Sequence, residues 1–344
     1  MDKVCVVIVN YRGWKDTIEC IESVLKQKQV YFQIIVVDNS EDYTSFDKIK
    51  NWATYGETVE TEFPEWIHPV ESKPLNDFVA VTQDQLDSAR YNQKIILVKA
   101  KSNDGFAAAN NIALKCILKN DDFSFAWLLN NDTVVPPICL KAMLDFMKSD
   151  KQSKTGILGA KVLEYHNRNM IQSAGGGKMI RSVAYSYLIG GGEQDKGQYD
   201  VSNLDMDFVA GTSMLVRKSF LKEVGLLNEE YFLYFEEPDW AERAVRLKWK
   251  MGYCFRANVY HKGGASTGGK GYSSEVKSST PFSDFYFQRA KVLYTRNHNV
   301  LWLPLVYLSF GMVVLNRLRR KQFTRVKDLL SILVHPSRRY ISKP

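Results

Sequence analysis

The sequence predicts an α/β fold: a mostly parallel central sheet with helices on both faces, followed by a helical C-terminal region. Three observations carry this. Apolar runs of four to eight residues, rich in Val and Ile, alternate with stretches whose apolar residues recur at helical spacing. Each run ends in short polar side chains, as strands do when they leave a sheet edge. Charge is also unevenly placed: the net charge is +8, yet residues 281–344 hold 12 Lys/Arg against 2 Asp/Glu, which leaves residues 1–280 near neutral.

In chain order, Lys3 to Asn10 reads as the first strand, and Trp14, Ile18, Ile21 and Leu25 mark a helix after a polar turn. Gln33 to Val37 is a second strand ending in Asp38-Asn39-Ser40. Ile95 to Val98 is a third, ending in Lys101-Ser102-Asn103-Asp104-Gly105. A helix from about Phe106 to Leu118 then buries Ala109, Ile112, Ala113 and Ile117. Phe125 to Leu129 is the fourth strand, with a helix marked by Ile138, Met143, Leu144 and Met147 behind it. Between about residues 41 and 94 the pattern is lost. That stretch reads as an inserted excursion with a short helix near Asp84 to Tyr91. From Gly156 the texture changes to longer, partly antiparallel strands (Ile157 to Leu163, Met206 to Val216) joined by glycine-rich turns. The triplets Gly175-Gly176-Gly177 and Gly190-Gly191-Gly192 lack the spacing of a phosphate-binding loop.

Three places concentrate chemistry. Trp127 to Pro137 breaks from an apolar run into Asn130-Asn131-Asp132, which either delivers a carboxylate to the sheet edge, where α/β folds bind ligands, or caps the next helix. Phe232 to Asp239 passes from aromatic residues to Glu236-Glu237-Pro238-Asp239. Pro238 fits a first helical position with Glu237 as the cap, and a helix-end field there favours the charged form. Solvated acids at a helix start are the alternative. His261 closes an apolar run before a Gly/Ser/Lys loop, as a ligand, a base or a polar boundary residue.

The tail holds Val300 to Leu315, sixteen residues without a charge, then Arg317, Arg319, Arg320, Lys321, Arg325 and Lys327. At ~1.5 Å per residue this is about 24 Å of helix, short of a ~30 Å bilayer core, and Pro304 and Gly311 interrupt it. The expectation is a helix on or dipping into the cytoplasmic leaflet with the basic run on anionic headgroups; a core helix pair is the alternative. Basic charge confined to one tail argues against a nucleic-acid groove. Five scattered cysteines read as reduced, mostly buried thiols, and the short apolar stretch after Lys3 does not read as a signal peptide, so the expected location is cytoplasmic.

Six stretches together carry a family resemblance: Val7-Ile8-Val9-Asn10-Tyr11, Val36-Val37-Asp38-Asn39-Ser40, Asn103-Asp104-Gly105-Phe106-Ala107 with Asn110-Asn111, Leu129-Asn130-Asn131-Asp132, Val209 to Leu215, and Tyr234-Phe235-Glu236-Glu237-Pro238-Asp239. In this order the sequence resembles the family 2 glycosyltransferases of GT-A fold, in the rhamnosyltransferase-like and galactofuranosyltransferase-like branch, over roughly residues 3 to 300. The resemblance implies a GT-A domain over 1–280, with a nucleotide-sugar-binding half (1–155) and an acceptor-binding half (156–280), and a basic amphipathic region over 281–344. It implies nucleotide contacts from Asn10, Tyr11, Asp38, Asn103 and Asn131, with Tyr11 stacking and Asp38 accepting a base N–H. Asp132 stands at the last acid of the family's D-x-D motif, with Asn130 in place of the first, and His261 completes a site for Mn2+ or Mg2+. Glu237 is implied as general base, with Glu236 and Asp239 as the competing acids.

The function so implied is inverting, metal-dependent transfer from dTDP-rhamnose or a UDP-sugar to a glycan or lipid-linked saccharide, in surface polysaccharide synthesis at the inner face of the membrane. Two adjacent acids do not flank a bond as a glycosidase pair does. Asn10-Tyr11-Arg12-Gly13-Trp14 is not the phosphate loop a nucleotidyltransferase needs. A rival from another class is a non-catalytic GT-A-like module that binds glycan or nucleotide at the membrane.

Overall fold

The computed structural model describes residues 2–56, 58–67, 75–149, 154–263, 280–334 and 340. The first half is a regular alternation: β1 (Lys3–Asn10), α1 (Trp14–Leu25), β2 (Tyr31–Asp38), α2 (Thr44–Tyr55), β3 (Phe78–Thr82), α3 (Gln83–Ser88), β4 (Ile95–Lys99), α4 (Phe106–Lys119), β5 (Phe123–Asn130), β6 (Thr133–Val134) and α5 (Cys139–Ser149). The second half holds β7 (Thr155–Glu164), β8 (Ile171–Ala174), β9 (Gly176–Ile180), β10 (Tyr185–Leu188), β11 (Phe208–Val209), β12 (Ser213–Arg217), α6 (Lys218–Val224), α7 (Glu236–Arg246) and β13 (Lys250–His261). Three helices follow: α8 (Pro281–His298), α9 (Leu303–Arg319) and α10 (Phe323–Val334).

The main sheet runs β3-β4-β2-β1-β5-β12-β7-β13-β6, with β8 paired to β7; β10, β9 and β11 form a small second sheet. Strands β3, β4, β2, β1 and β5 are all parallel, whereas β12 is antiparallel to both β5 and β7. The α/β expectation of a mostly parallel sheet covered on both faces is met. Side-chain alternation explains the layering. Val4, Val6 and Ile8 of β1 face one core with Ile18 and Ile21 of α1, Trp52 of α2 and Met143 of α5. Cys5 and Val7 face the other, with Ala113 and Ile117 of α4, Phe220 of α6 and Trp240 of α7. Trp52, Trp127 and Trp240 are fully buried, and a large apolar side chain so placed contributes about 1.5–3 kcal/mol.

Several sequence expectations are corrected. The stretch read as patternless contains α2, whose Phe46, Ile49, Trp52 and Ala53 reach the core, and β3, which adds a parallel edge strand beside β4. The short helix expected near Asp84 to Tyr91 spans Gln83–Ser88, started by a Thr82/Gln85 capping box. Helix α7 begins at Glu236, so Phe235 is its cap and Pro238 sits within its first turn. Pro304 falls in the first turn of α9, where it starts the helix rather than interrupting it. The Gly/Ser/Lys loop after His261 lies, from 264 to 279, outside the described residues. Cys5, Cys20, Cys139 and Cys254 are buried free thiols, as expected, and Cys116 is partly so.

Candidate active site

Strands β1, β2, β4 and β5 end at one sheet edge, and a hydrogen-bond chain ties those ends together. Asn131 Nδ2 donates to Thr17 Oγ1 (3.0 Å), Thr17 Oγ1 to Asn10 Oδ1 (2.8 Å), and Asn10 Nδ2 to Asp38 Oδ1 (2.6 Å). Lys99 Nζ closes it on Asp38 Oδ2 at 2.8 Å, and Ser40 Oγ also donates to Asp38. Asn10 and Asp38 are both 0% exposed. Asp38 thereby organises the turn through Asn10, Ser40 and Lys99. Beside this chain, Tyr11, Asn39 and Asn103 line the cavity described below. Asn39 Nδ2 donates to Asn103 Oδ1 (2.9 Å), and Glu41 accepts from the Tyr11 hydroxyl (3.1 Å) while pairing with Arg12 (3.0 Å).

Asp132 and His261 are 129 residues apart, and sheet pairing brings them together. Strand β13 runs antiparallel to β6 with His261 opposite Thr133, which puts His261 Nε2 3.0 Å from Asp132 Oδ1. Burial works against the Asp132 charge, but His261, a backbone N–H and Lys262 together hold its carboxyl below the ordinary value. Gln172 fixes the imidazole: its Nε2 donates to the His261 carbonyl (2.8 Å), so its Oε1 faces His261 Nδ1 at 2.7 Å. Nδ1 therefore carries a proton; in the protonated ring Nε2–H also donates toward Asp132, and in the neutral ring Nε2 presents its lone pair there. Two electron-pair donors aimed at each other suit a bridging cation, and an imidazole anchored through its far nitrogen is how such ligands are held. Asn130 Nδ2 lies 3.4 Å from His261 Nε2, within the same group. Among the described residues no cluster of three or more His, Cys, Asp or Glu forms a metal cage. Two protein donors with the rest supplied by phosphate and water fit Mg2+- or Mn2+-type coordination.

Glu236 and Asp239 on α7 are buried and Glu237 is half-buried, contrary to the expectation of solvated acids at a helix start. Burial, then the neighbouring Glu237, push the Glu236 carboxyl well above its ordinary range, and burial likewise raises Glu237 against the backbone N–H groups that favour its charge. The helix-end field is thus outweighed by desolvation. Glu236 Oε2 has no partner among the described residues, whereas Glu237 Oε1 accepts from Gly211 N at 3.1 Å. Asp239 points elsewhere: it pairs with Arg243 (2.9 Å) and His298 (2.7 Å) behind the helix.

One cavity of about 330 Å³ collects these groups. Tyr11, Asn103, Asn130, Asn131, Asp132, His261, Glu236 and Glu237 all line it, and Leu188, Phe208, Phe232 and Phe282 add apolar surface. Asn10, Asp38 and Asp239 are absent from its lining. Sequence reasoning missed Asn39 and Gly211, although both stood in quoted motifs, and missed Gln172 and Phe282, which reach the site through pairings no local pattern reports. Gly211 is needed for space: a Cβ there would fall 2.2 Å from Glu237 Oε1. Gly105, which opens α4, has φ +95° and would place a Cβ 2.2 Å from the Phe232 carbonyl oxygen. Gly211→Ala is therefore expected to swing the Glu237 carboxyl aside and lower kcat by about 10- to 100-fold with little change in donor KM, read from steady-state kinetics.

A family model described as "Glycosyltransferase like family 2" matches residues 78–275, more than half of the chain. The low-salt glycan biosynthesis hexosyltransferase of Haloferax volcanii is 20% identical over 262 residues, 76% of this chain and 67% of that protein. An N-acetylglucosaminyl-diphospho-decaprenol L-rhamnosyltransferase of Mycobacterium tuberculosis is 34% identical over 67 residues, 20% of this chain and 22% of that protein. Among solved structures, GalNAc-T7 with UDP, GalNAc and Mn2+ superposes with a TM-score of 0.51 at 13% identity, covering 84% of this chain. The chain spans 47% of that structure's length.

Proposed function

The chain belongs to glycosyltransferase family 2, and from that premise we propose that it is an inverting, metal-dependent enzyme moving a hexosyl or rhamnosyl unit from a nucleotide diphosphate sugar to a glycan or lipid-linked saccharide. The observation that carries this reading is the meeting, in one cavity, of the Asp132–His261 pair and the Glu236–Glu237 acids. Asp132 and His261 would hold Mn2+ or Mg2+, which when bound supplies Lewis-acid stabilisation of the departing diphosphate. Tyr11, Asn39, Asn103 and Asn131 line the end where the nucleoside would bind. Glu237 takes the proton from the acceptor hydroxyl; its raised affinity for protons, caused by burial, makes it a stronger base than a solvated glutamate. Glu236, buried beside it, holds its proton more tightly still, because burial and the adjacent Glu237 both raise its carboxyl. The test is a thermal-shift panel of UDP-, TDP- and GDP-sugars with and without Mn2+, followed by nucleoside diphosphate release with the donors that bind. Selective, metal-dependent stabilisation is expected; no stabilisation by any nucleotide sugar would contradict the reading.

The same proposal places the enzyme on the inner face of the cell membrane. By length and composition Val300–Arg319 is long enough to cross a bilayer, so length alone does not exclude a span as the sixteen-residue count implied. Packing favours a helix in the membrane plane: Val306 and Phe310 are buried toward the protein, while Leu301, Leu305, Leu308, Met312 and Leu315 are exposed on the opposite face. Exposed Phe323, Leu330 and Leu333 continue that face on α10, and exposed Arg319, Arg320, Lys321 and Lys327 flank it. Leu308→Glu with Met312→Glu is expected to reduce partition onto phosphatidylglycerol-containing vesicles by about tenfold or more, since each apolar side chain withdrawn from lipid loses roughly 1.5–3 kcal/mol. Unchanged cosedimentation would remove the membrane from the scheme.

A further inference from the structure

The turn that delivers the two acids is strained. Tyr234 and Phe235 have φ of +71° and +68°, the left-handed region that bulky L residues avoid and that persists only where neighbours hold it. Those neighbours come from α8. The Tyr234 hydroxyl shares a hydrogen bond with Ser283 Oγ at 2.7 Å. Phe235 meets the rings of Phe287 at 5.7 Å and Tyr294 at 5.5 Å, and Phe232 stacks on Tyr286 at 4.4 Å. Arg289 Nη1 donates to the Glu230 carbonyl at 2.7 Å.

The same helix also grips the body of α7. The Tyr294 hydroxyl donates to Glu242 Oε1 at 2.8 Å, and His298 Nε2 lies 2.7 Å from Asp239 Oδ1. Arg246 Nη2 sits 3.0 Å from His298 Nδ1 and can only donate, so Nδ1 accepts and Nε2 carries the proton offered to Asp239. Asp239, a candidate base by sequence, is thereby an anchor for α7. Helix α8 starts at Pro281, beyond the family match that ends at residue 275.

We propose that α8 is a working part of the active site and that Ser283, through Tyr234, is a positioning residue for Glu236 and Glu237. The backbone angles at Tyr234 and Phe235 set the direction in which α7 leaves the turn, and so the direction of both carboxyls. Ring packing from α8 keeps the turn near this shape, and the Tyr234–Ser283 bond fixes the last degrees of freedom. This rests on Glu237 as the base.

The test compares Ser283→Ala, Tyr234→Phe, the double variant and Ser283→Thr in the full chain, beside Glu237→Gln. Turnover is read as UDP release from UDP-glucose and TDP release from dTDP-rhamnose with Mn2+. Each single variant is expected to lower kcat by about five- to tenfold with donor KM and thermal midpoint nearly unchanged. The double variant falls no further, Ser283→Thr recovers activity, and the acid limb of the pH profile moves down as water reaches the acids. A measurement that needs no donor is hydrogen exchange: residues 232–240 exchange faster in Ser283→Ala while β1 and β5 stay protected. Unchanged exchange there, wild-type kcat in the single variants, or a loss that merely tracks a lowered thermal midpoint would overturn the assignment. Wild-type turnover by Glu237→Gln would instead remove the base reading, and the positioning role with it.

Discussion

Glu237→Gln is expected to lower kcat for sugar transfer by about 10²–10⁴-fold while nucleotide affinity stays within about twofold. The substitution keeps the side chain's size and its acceptor oxygen toward Gly211 N, so the wall of the cavity is preserved. What is lost is the capacity to take a proton. The pH dependence follows with a definite sign. Because burial raises the Glu237 carboxyl, the active, charged form accumulates only as pH climbs through that raised value, so kcat/KM rises on its acid limb above the ordinary carboxylate range. Stability runs the other way. A carboxyl raised in the folded state stabilises the fold below its unfolded value and loses that contribution as pH rises through the folded one. Glu236 is raised most by burial and has an oxygen without a partner among the described residues. Glu236→Gln, which mimics its neutral form, should therefore raise the thermal midpoint at neutral pH and leave it nearly unchanged under acid conditions.

Asp132→Asn is the second large effect. The carboxylate is buried and, among the described residues, lies 3.0 Å from His261 with Lys262 also favouring its charge, so that charge is available to a cation, whether imidazolium or metal. Removing that charge is expected to lower kcat/KM by about 10²–10³-fold and to abolish the response to added Mn2+, measured as activity against metal concentration. Excess chelator should bring the wild type to the same low rate. A chelator-resistant wild type would leave Asp132 as a fold residue paired with His261.

Much of this was legible in the chain, for reasons that can be located. The strands of the first half were readable because both faces of the sheet are covered: Val4, Val6 and Ile8 and, alternately, Cys5 and Val7 all had to be apolar. Edge strand β3 escaped notice because it is mostly half-exposed, and α2 because its few core residues are spaced among charged ones. The polar strand ends announced a site edge, but not that Lys99 on β4 would pair with Asp38. The nearness of Asp132 and His261 depends on the β6–β13 pairing, and no local pattern encodes it. The start of α7 was misplaced because the left-handed turn at Tyr234 and Phe235 is imposed by α8, so a cap rule applied to Pro238 alone could not find it.

The anomeric configuration of the transferred sugar, read by NMR on the product and compared with the donor, bears most directly on the cavity as a transfer site with one base. Glu237 acting alone as base permits a single displacement, so inversion is expected in every turnover. Retention of configuration would require a nucleophile or an internal return that these residues are not arranged to provide, and would contradict the assignment of Glu237 as general base.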